Sequence, residues 1–228
     1  MKTIILGFMA TLLAATPVVA LDRADLDARV LTLTAKFEQL QAQPDKRIPA
    51  DILRRARGII LLDCTRAGVV FAYKGGAGVA MVKDQATGKW GPAAFLTANE
   101  GSLGIQIGAE QDFYAIVLVS TNAPRFLTDP TFEFGGEARG TAGDSSAGTA
   151  GTISSSERPF WVFSSRNGLY GGAALKGGAV APDEDANRIY YGQALSMSDI
   201  LFDKRVRPTE AAKNLTVILD SYSNAPKS

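Results

Sequence analysis

The chain has 228 residues, no histidine and a single cysteine. Without histidine it lacks the side chain most used for proton transfer near neutral pH, and the commonest transition-metal ligand. Ser-His-Asp and Cys-His catalytic arrangements are therefore excluded. A zinc site would need clustered cysteines or histidine, and neither exists. Cys64 has no partner with which to form an intrachain disulfide. In the run Leu61-Leu62-Asp63-Cys64 it continues a strand pattern, so it reads as a buried structural thiol and not as a nucleophile. There is no Ser-x-x-Lys dyad and no Gly-x-Ser-x-Gly elbow, and Gly101-Ser102-Leu103-Gly104 has the wrong spacing for one. What remains for catalysis is carboxylates alone, with Glu100, Glu110 and Asp112 as the residues to watch. Charge of one sign is also missing. Lys and Arg number 24 against 23 Asp and Glu, a net +1, which argues against a general nucleic-acid binder.

The one long apolar run is at the start. Lys2, the stretch from Ile4 to Ala15, and Val18-Val19-Ala20 have the order of a secretion signal: a charged start, an apolar middle and small residues before a cleavage point. The apolar stretch is shorter than the roughly 20 residues a bilayer span needs, and Pro17 interrupts it. No cysteine lies near Ala20 to receive a lipid. The expectation is a signal over 1–20, cleaved near Ala20, and an exported protein of the periplasm or cell envelope, soluble or peripheral to a membrane. No linker divides residues 21–228, which read as one domain.

Glycine is plentiful: 23 residues, concentrated between Gly68 and Gly192. Together with 46% hydrophobic residues this favours a β-rich core with bulges and tight turns. The spacing of Leu26, Val30, Leu33, Phe37 and Leu40 predicts a helix over 22–43 that packs one face on the core. Pro49 opens a second, short helix over 50–57. Strands follow at 59–64, 68–73, 77–83, 90–96, 102–109, 113–120, 160–164 and 169–175, with short helices at 122–130, 182–192 and 198–202 and a terminal helix over 209–222. Gly75-Gly76-Ala77-Gly78 resembles a phosphate loop, but a strand and not a helix follows it, so a glycine turn between strands is expected. Asp183, Asp185 and Asn187 imitate the start of a calcium loop. Arg188 and Ala194 break that match, and Asp183 reads instead as a helix cap. The small polar tract at 139–156 reads as a loop.

Lys46, Arg47, Arg54, Arg55, Arg57 and Arg66 face only Asp45, Asp51 and Asp63, so six cations meet three carboxylates. This is the strongest anion-binding candidate in the chain. Arginine forks complement phosphate oxygens, and the solvated face of a helix is the alternative role for the same residues.

The pieces IPADILRRARGI (48–59), AGVVFAYKGGAGV (67–79), GKWGPAAFL (88–96), GSLGIQIGAEQ (101–111), GLYGGAALKGGAV (168–180), DANRIYYG (185–192) and SDILF (198–202) resemble, in order and spacing, the SYLF domain. The resemblance implies a lipid-binding module whose eukaryotic members bind phosphoinositide or other acidic lipid and whose yeast members also bind actin. Carried onto this sequence, it assigns lipid contact to Arg54, Arg55 and Arg57, together with Lys46 and Arg47. AGDSSAG (142–148) stands where the family carries a stretch with proline.

The fold expected is α+β: a twisted, largely antiparallel sheet or barrel-like sandwich with helices from both ends of the chain packed around it. The function expected is non-enzymatic binding of acidic phospholipid at a membrane surface, without cofactor, metal or nucleic acid. An envelope structural or protein-interaction module is the alternative. Actin enters by family analogy only and is not an expected partner for an exported chain.

Overall fold

The computed structural model describes residues 20–67, 71–103, 109–134, 160–165, 168–170 and 178–225. The expected signal segment up to residue 19 and the tract at 139–156 lie outside them.

Helix α1, Arg23–Gln41, starts where the sequence places it. Asp22 accepts from the Asp25 backbone, and Asp25 returns the bond to Asp22, closing a capping box. Leu26, Val30, Leu33, Phe37 and Leu40 are all buried. Each contributes about 1.5–3 kcal/mol of burial. Helix α2, Ala50–Arg55, buries Ile52 and Leu53 and leaves Arg54 and Arg55 exposed. Four long strands follow: β1 (Gly58–Ala67), β2 (Phe71–Val82), β3 (Ala94–Leu103) and β4 (Ala109–Leu118). A 3-10 helix over Ala123–Thr128 leads to the short strands β5 (Phe132–Phe134), β6 (Phe160–Ser164), β7 (Gly168–Tyr170) and β8 (Gly178–Pro182). Helices α3 (Glu184–Tyr191), α4 (Met197–Leu201) and α5 (Glu210–Ser223) complete the chain.

The eight strands form one antiparallel sheet in the order β5-β8-β3-β2-β1-β4-β6-β7. It is open: among the described residues no pairing joins β5 to β7, so the barrel-like or sandwich variant of the expectation gives way to a single sheet covered on both sides. Alternate residues serve opposite faces. Ile59, Leu61, Val79, Met81, Phe95, Ala115 and Val117 pack with α1, α2, α3 and α5. Ile60, Leu62, Cys64, Ala80, Leu96, Ile116 and Leu118 pack with the 3-10 helix and α4. The central strands therefore read as nearly continuous apolar runs. Cys64 is buried in the second layer, as its setting predicts.

The glycine tract departs from expectation. Gly75 to Gly78 do not form a turn; they lie inside β2, paired with β1 at Thr65, Cys64, Asp63 and Leu62. A Cβ on Gly76 would come within 2.6 Å of the Asp63 carbonyl and 2.7 Å of Cys64 Sγ, and one on Gly78 would collide with the Leu61 carbonyl. The glycines are present because β1 crosses β2 too closely for side chains. Residues 71–73 of the expected strand 68–73 and residues 77–82 of the expected strand 77–83 thus belong to one strand, while 68–70 lie outside the described residues. Of the expected strand 102–109, Ser102 and Leu103 end β3 and Ala109 starts β4, while 104–108 lie outside the described residues.

Asp183 caps α3 by accepting from the Ala186 backbone. The buried Asn187 amide then accepts from Phe95 N at 2.8 Å and donates to Phe95 O at 3.1 Å. One side chain so occupies both hydrogen-bonding groups of a strand residue and fixes α3 against the sheet.

Candidate anion-binding site

The structure divides the five sequence-predicted cations. Lys46 donates to the Ser165 carbonyl at 2.9 Å, and Ser165 N in turn bonds Phe113 O. Phe113 lies opposite Asp63, five positions along β1 from Gly58. That is about 17 Å from the Gly58 end of the strand. Arg47 is exposed and lies next to Lys46 in the chain. Arg54, Arg55 and Arg57 stand instead at the Gly58 end, where α2 runs into β1.

These three arginines differ in their duties. Arg54 donates one guanidinium N–H to the Ser223 carbonyl at 3.3 Å, at the C-terminal end of α5. A cation there offsets the negative end of the helix dipole. Arg55 and Arg57 are exposed, and among the described residues neither side chain has an ion-pair partner. The carboxylates that the sequence sets against these cations leave them unpaired: Asp63 lies about 17 Å away along β1 and pairs with Lys36 of α1 at 2.5 Å, and Asp51 is exposed without an ion pair among the described residues.

One cation at this end escaped the sequence reading. Lys83 directly follows β2, donates its backbone N–H to the Arg57 carbonyl at 2.9 Å, and bridges to Trp90. Its ammonium sits 4.7 Å from the centroid of the Trp90 ring. Burial holds its pKa below the usual lysine value; the Asp220 carboxylate opposes this, and the Arg57 guanidinium adds to it. The sequence signal was there in Lys83 and Trp90 flanking the Asp84–Lys89 turn, but only the register shows that Lys83 faces Arg57.

The carboxylates considered for catalysis do not converge. Glu100 lies on β3, while Glu110 and Asp112 lie on β4, with β2 and β1 between them. Three strand spacings put their backbones about 14 Å apart. Among the described residues no group of His, Cys, Asp and Glu could hold a metal ion, and no helix is long and apolar enough to cross a membrane. Away from Arg54, Arg55 and Arg57, an open groove of about 570 Å³ is lined by Arg23, Asp27 and Leu31 of α1 and by Glu210 and Asn214 of α5, among others.

The family model described as Ysc84, Las17-binding protein actin regulator, matches residues 99–222, from β3 through α5. The chain belongs to the Ysc84 family. Its curated relatives include the SH3 domain-containing YSC84-like protein 1 of Homo sapiens, 30% identical over 183 residues that make up 79% of this chain and 53% of the relative. The LAS seventeen-binding protein 3 of Saccharomyces cerevisiae is 30% identical over 201 residues, 85% of this chain and 42% of the relative. Protein YSC84 of the same yeast shows the same identity and coverage. This Ysc84-family chain thus spans about half the length of the curated relatives it matches. No solved structure matches it. The SYLF resemblance read from the sequence and the Ysc84 match agree on the family. The family model covers the sheet from β3 onward and the C-terminal helices, while the α2 arginines precede the matched segment.

Proposed function

We propose that this chain is a non-enzymatic binding module that docks on acidic phospholipid at a membrane surface, with Arg54, Arg55 and Arg57 facing the headgroups. The observation that carries this reading is that Arg55 and Arg57 are exposed and, among the described residues, have no ion-pair partner, the neighbouring Asp51 included. Each basic residue near an anionic leaflet contributes about 1 kcal/mol, so three contribute about 3 kcal/mol, on the order of a hundredfold in partitioning. A target in the cell envelope is part of this proposal, and the secretion-type pattern over 1–20 supports it. The family model is described as an actin regulator and a yeast relative is named for binding another protein, neither for a reaction, which supports a module without catalysis.

Co-sedimentation with phosphatidylglycerol vesicles tests the proposal. The wild type is expected to pellet with the vesicles, and the Arg54→Glu, Arg55→Glu, Arg57→Glu variant to stay in solution. Equal pelleting of both proteins, or no pelleting of the wild type, would sink the reading.

A second reading rests on a different surface. Leu31 of α1 is 46% exposed and Val217 of α5 is 65% exposed, and the two helices pack side by side. With relatives named as binders of another protein, this face suits a protein partner. A module of that kind would form a defined complex whose stability is indifferent to lipid charge.

A further inference from the structure

Arg57, Lys83 and Trp90 form a row across the end of the sheet. Lys83 stands opposite Arg57 on one side and bridges to Trp90 on the other. Strand alternation gives all three the same face. Ile59 and Leu61 continue Arg57's parity, and Val79 and Met81 continue that of Lys83; all four are buried under the helices together with Trp90. Two cations therefore face each other directly on neighbouring antiparallel strands, an arrangement that costs stability when nothing offsets it. No carboxylate among the described residues is within ion-pair reach of either. Asp220 of α5 acts on Lys83 only through space. Lys83 is half-buried with its ammonium over the Trp90 ring. Trp90 is 6% exposed, and its indole Nε1–H has no hydrogen-bond partner among the described residues. A destabilising cation pair, held in place by an aromatic ring beside an unmatched buried donor, is what an anion site looks like before its anion arrives.

We propose that Arg57 and Lys83 form a two-cation clamp for one phosphate group, with Trp90 as the wall that holds Lys83 in position. This rests on the acidic-surface reading above and deepens it. The three arginines attract the surface, and Lys83, which belongs to no basic run, recognises the phosphate itself.

The test uses a Trp161→Phe background, which leaves Trp90 as the sole tryptophan. Its emission is followed while inorganic phosphate, and separately phosphatidylglycerol vesicles, are added. The expected result is a saturable change in emission that is weakened roughly tenfold or more in Lys83→Gln and restored in Lys83→Arg. Lys83→Met keeps the stem packed on Trp90 and should match Lys83→Gln, which separates loss of charge from loss of packing; thermal melts of each variant verify folding. A Lys83-dependent response to vesicles alone assigns the clamp to a lipid headgroup. A Lys83-dependent response to phosphate without vesicle binding keeps the clamp and overturns the surface reading. Emission that does not respond, or affinities unchanged in both neutral variants, overturn the clamp. In that last case vesicle binding that still depends on the arginines leaves the surface reading standing.

Discussion

Tyr190 ties three elements together through one hydroxyl. On α3 and 1% exposed, it donates to Asp27 Oδ1 of α1 at 2.7 Å and lies 2.5 Å from the Thr209 hydroxyl that caps α5. Burial pushes that hydroxyl up to about 12; the Thr209 hydrogen bond works against the shift, and the Asp27 carboxylate adds to it. An unfolded tyrosine releases its proton near 10. Between these values the unfolded chain has lost a proton that the native chain keeps. The stability from this group is therefore fully present below pH 10 and is lost as pH rises toward 12. Tyr191, whose hydroxyl donates to the Ala93 carbonyl, is shifted upward by burial as well and acts in the same direction. In Tyr190→Phe, urea unfolding should show about 1–2 kcal/mol less stability at pH 8. The decline between pH 10 and 12 should also be shallower than in the wild type, but still present because Tyr191 remains. An alkaline slope identical in the two proteins would contradict this account of the hydroxyl.

At the scale of elements, the pairing of β1 with β2 depends on glycines that make no turn. Gly78→Ala would drive a methyl group into the Leu61 carbonyl and the Leu62 side chain. The backbone oxygen cannot swing away as a flexible side chain could, so the two strands must separate locally. A loss of about 1–3 kcal/mol is expected, read as a lower urea midpoint with an unchanged m-value. Gly88→Ala supplies the contrast. Its Cβ would meet nothing, but its φ of +68° makes the turn itself the obstacle, so its effect should remain local to the Asp84–Lys89 turn. The same comparison explains what could be read from sequence. The helices were legible because their signals are local: Pro49 before α2, Asp183 before α3, and the spacing Leu26-Val30-Leu33-Phe37-Leu40. The continuity of β2 was not, because the reason for Gly76 and Gly78 lies on another strand. For the site, the arginines of α2 were visible as a charge run. Lys83 was hidden because only the register Gly58↔Val82 sets it opposite Arg57, and Lys46 was grouped with the arginines although its fold position is elsewhere.

For the whole molecule, a net charge of +1 means that attraction to an anionic surface cannot come from the protein's overall field. The proposed attraction has to come from the local excess at one end of the sheet, where Arg55 and Arg57 have no ion-pair partner among the described residues and Lys83 adds a third charge. A field of that kind has short reach. The screening length shrinks from about 30 Å at 0.01 M salt to about 3 Å at 1 M. The core consists of two apolar layers and does not depend on that field, so folding and binding should respond differently to salt. Pelleting with phosphatidylglycerol vesicles is expected to fall steeply as sodium chloride rises over this range, while the melting temperature in the same buffers changes little. Phosphatidylcholine vesicles should not pellet the protein at any salt concentration. Pelleting that persists at 1 M salt, or that appears equally with both lipids, would shift the contact from the arginine end to the exposed Leu31 and Val217 of the α1–α5 face, where association is driven by apolar burial and salt does not weaken it.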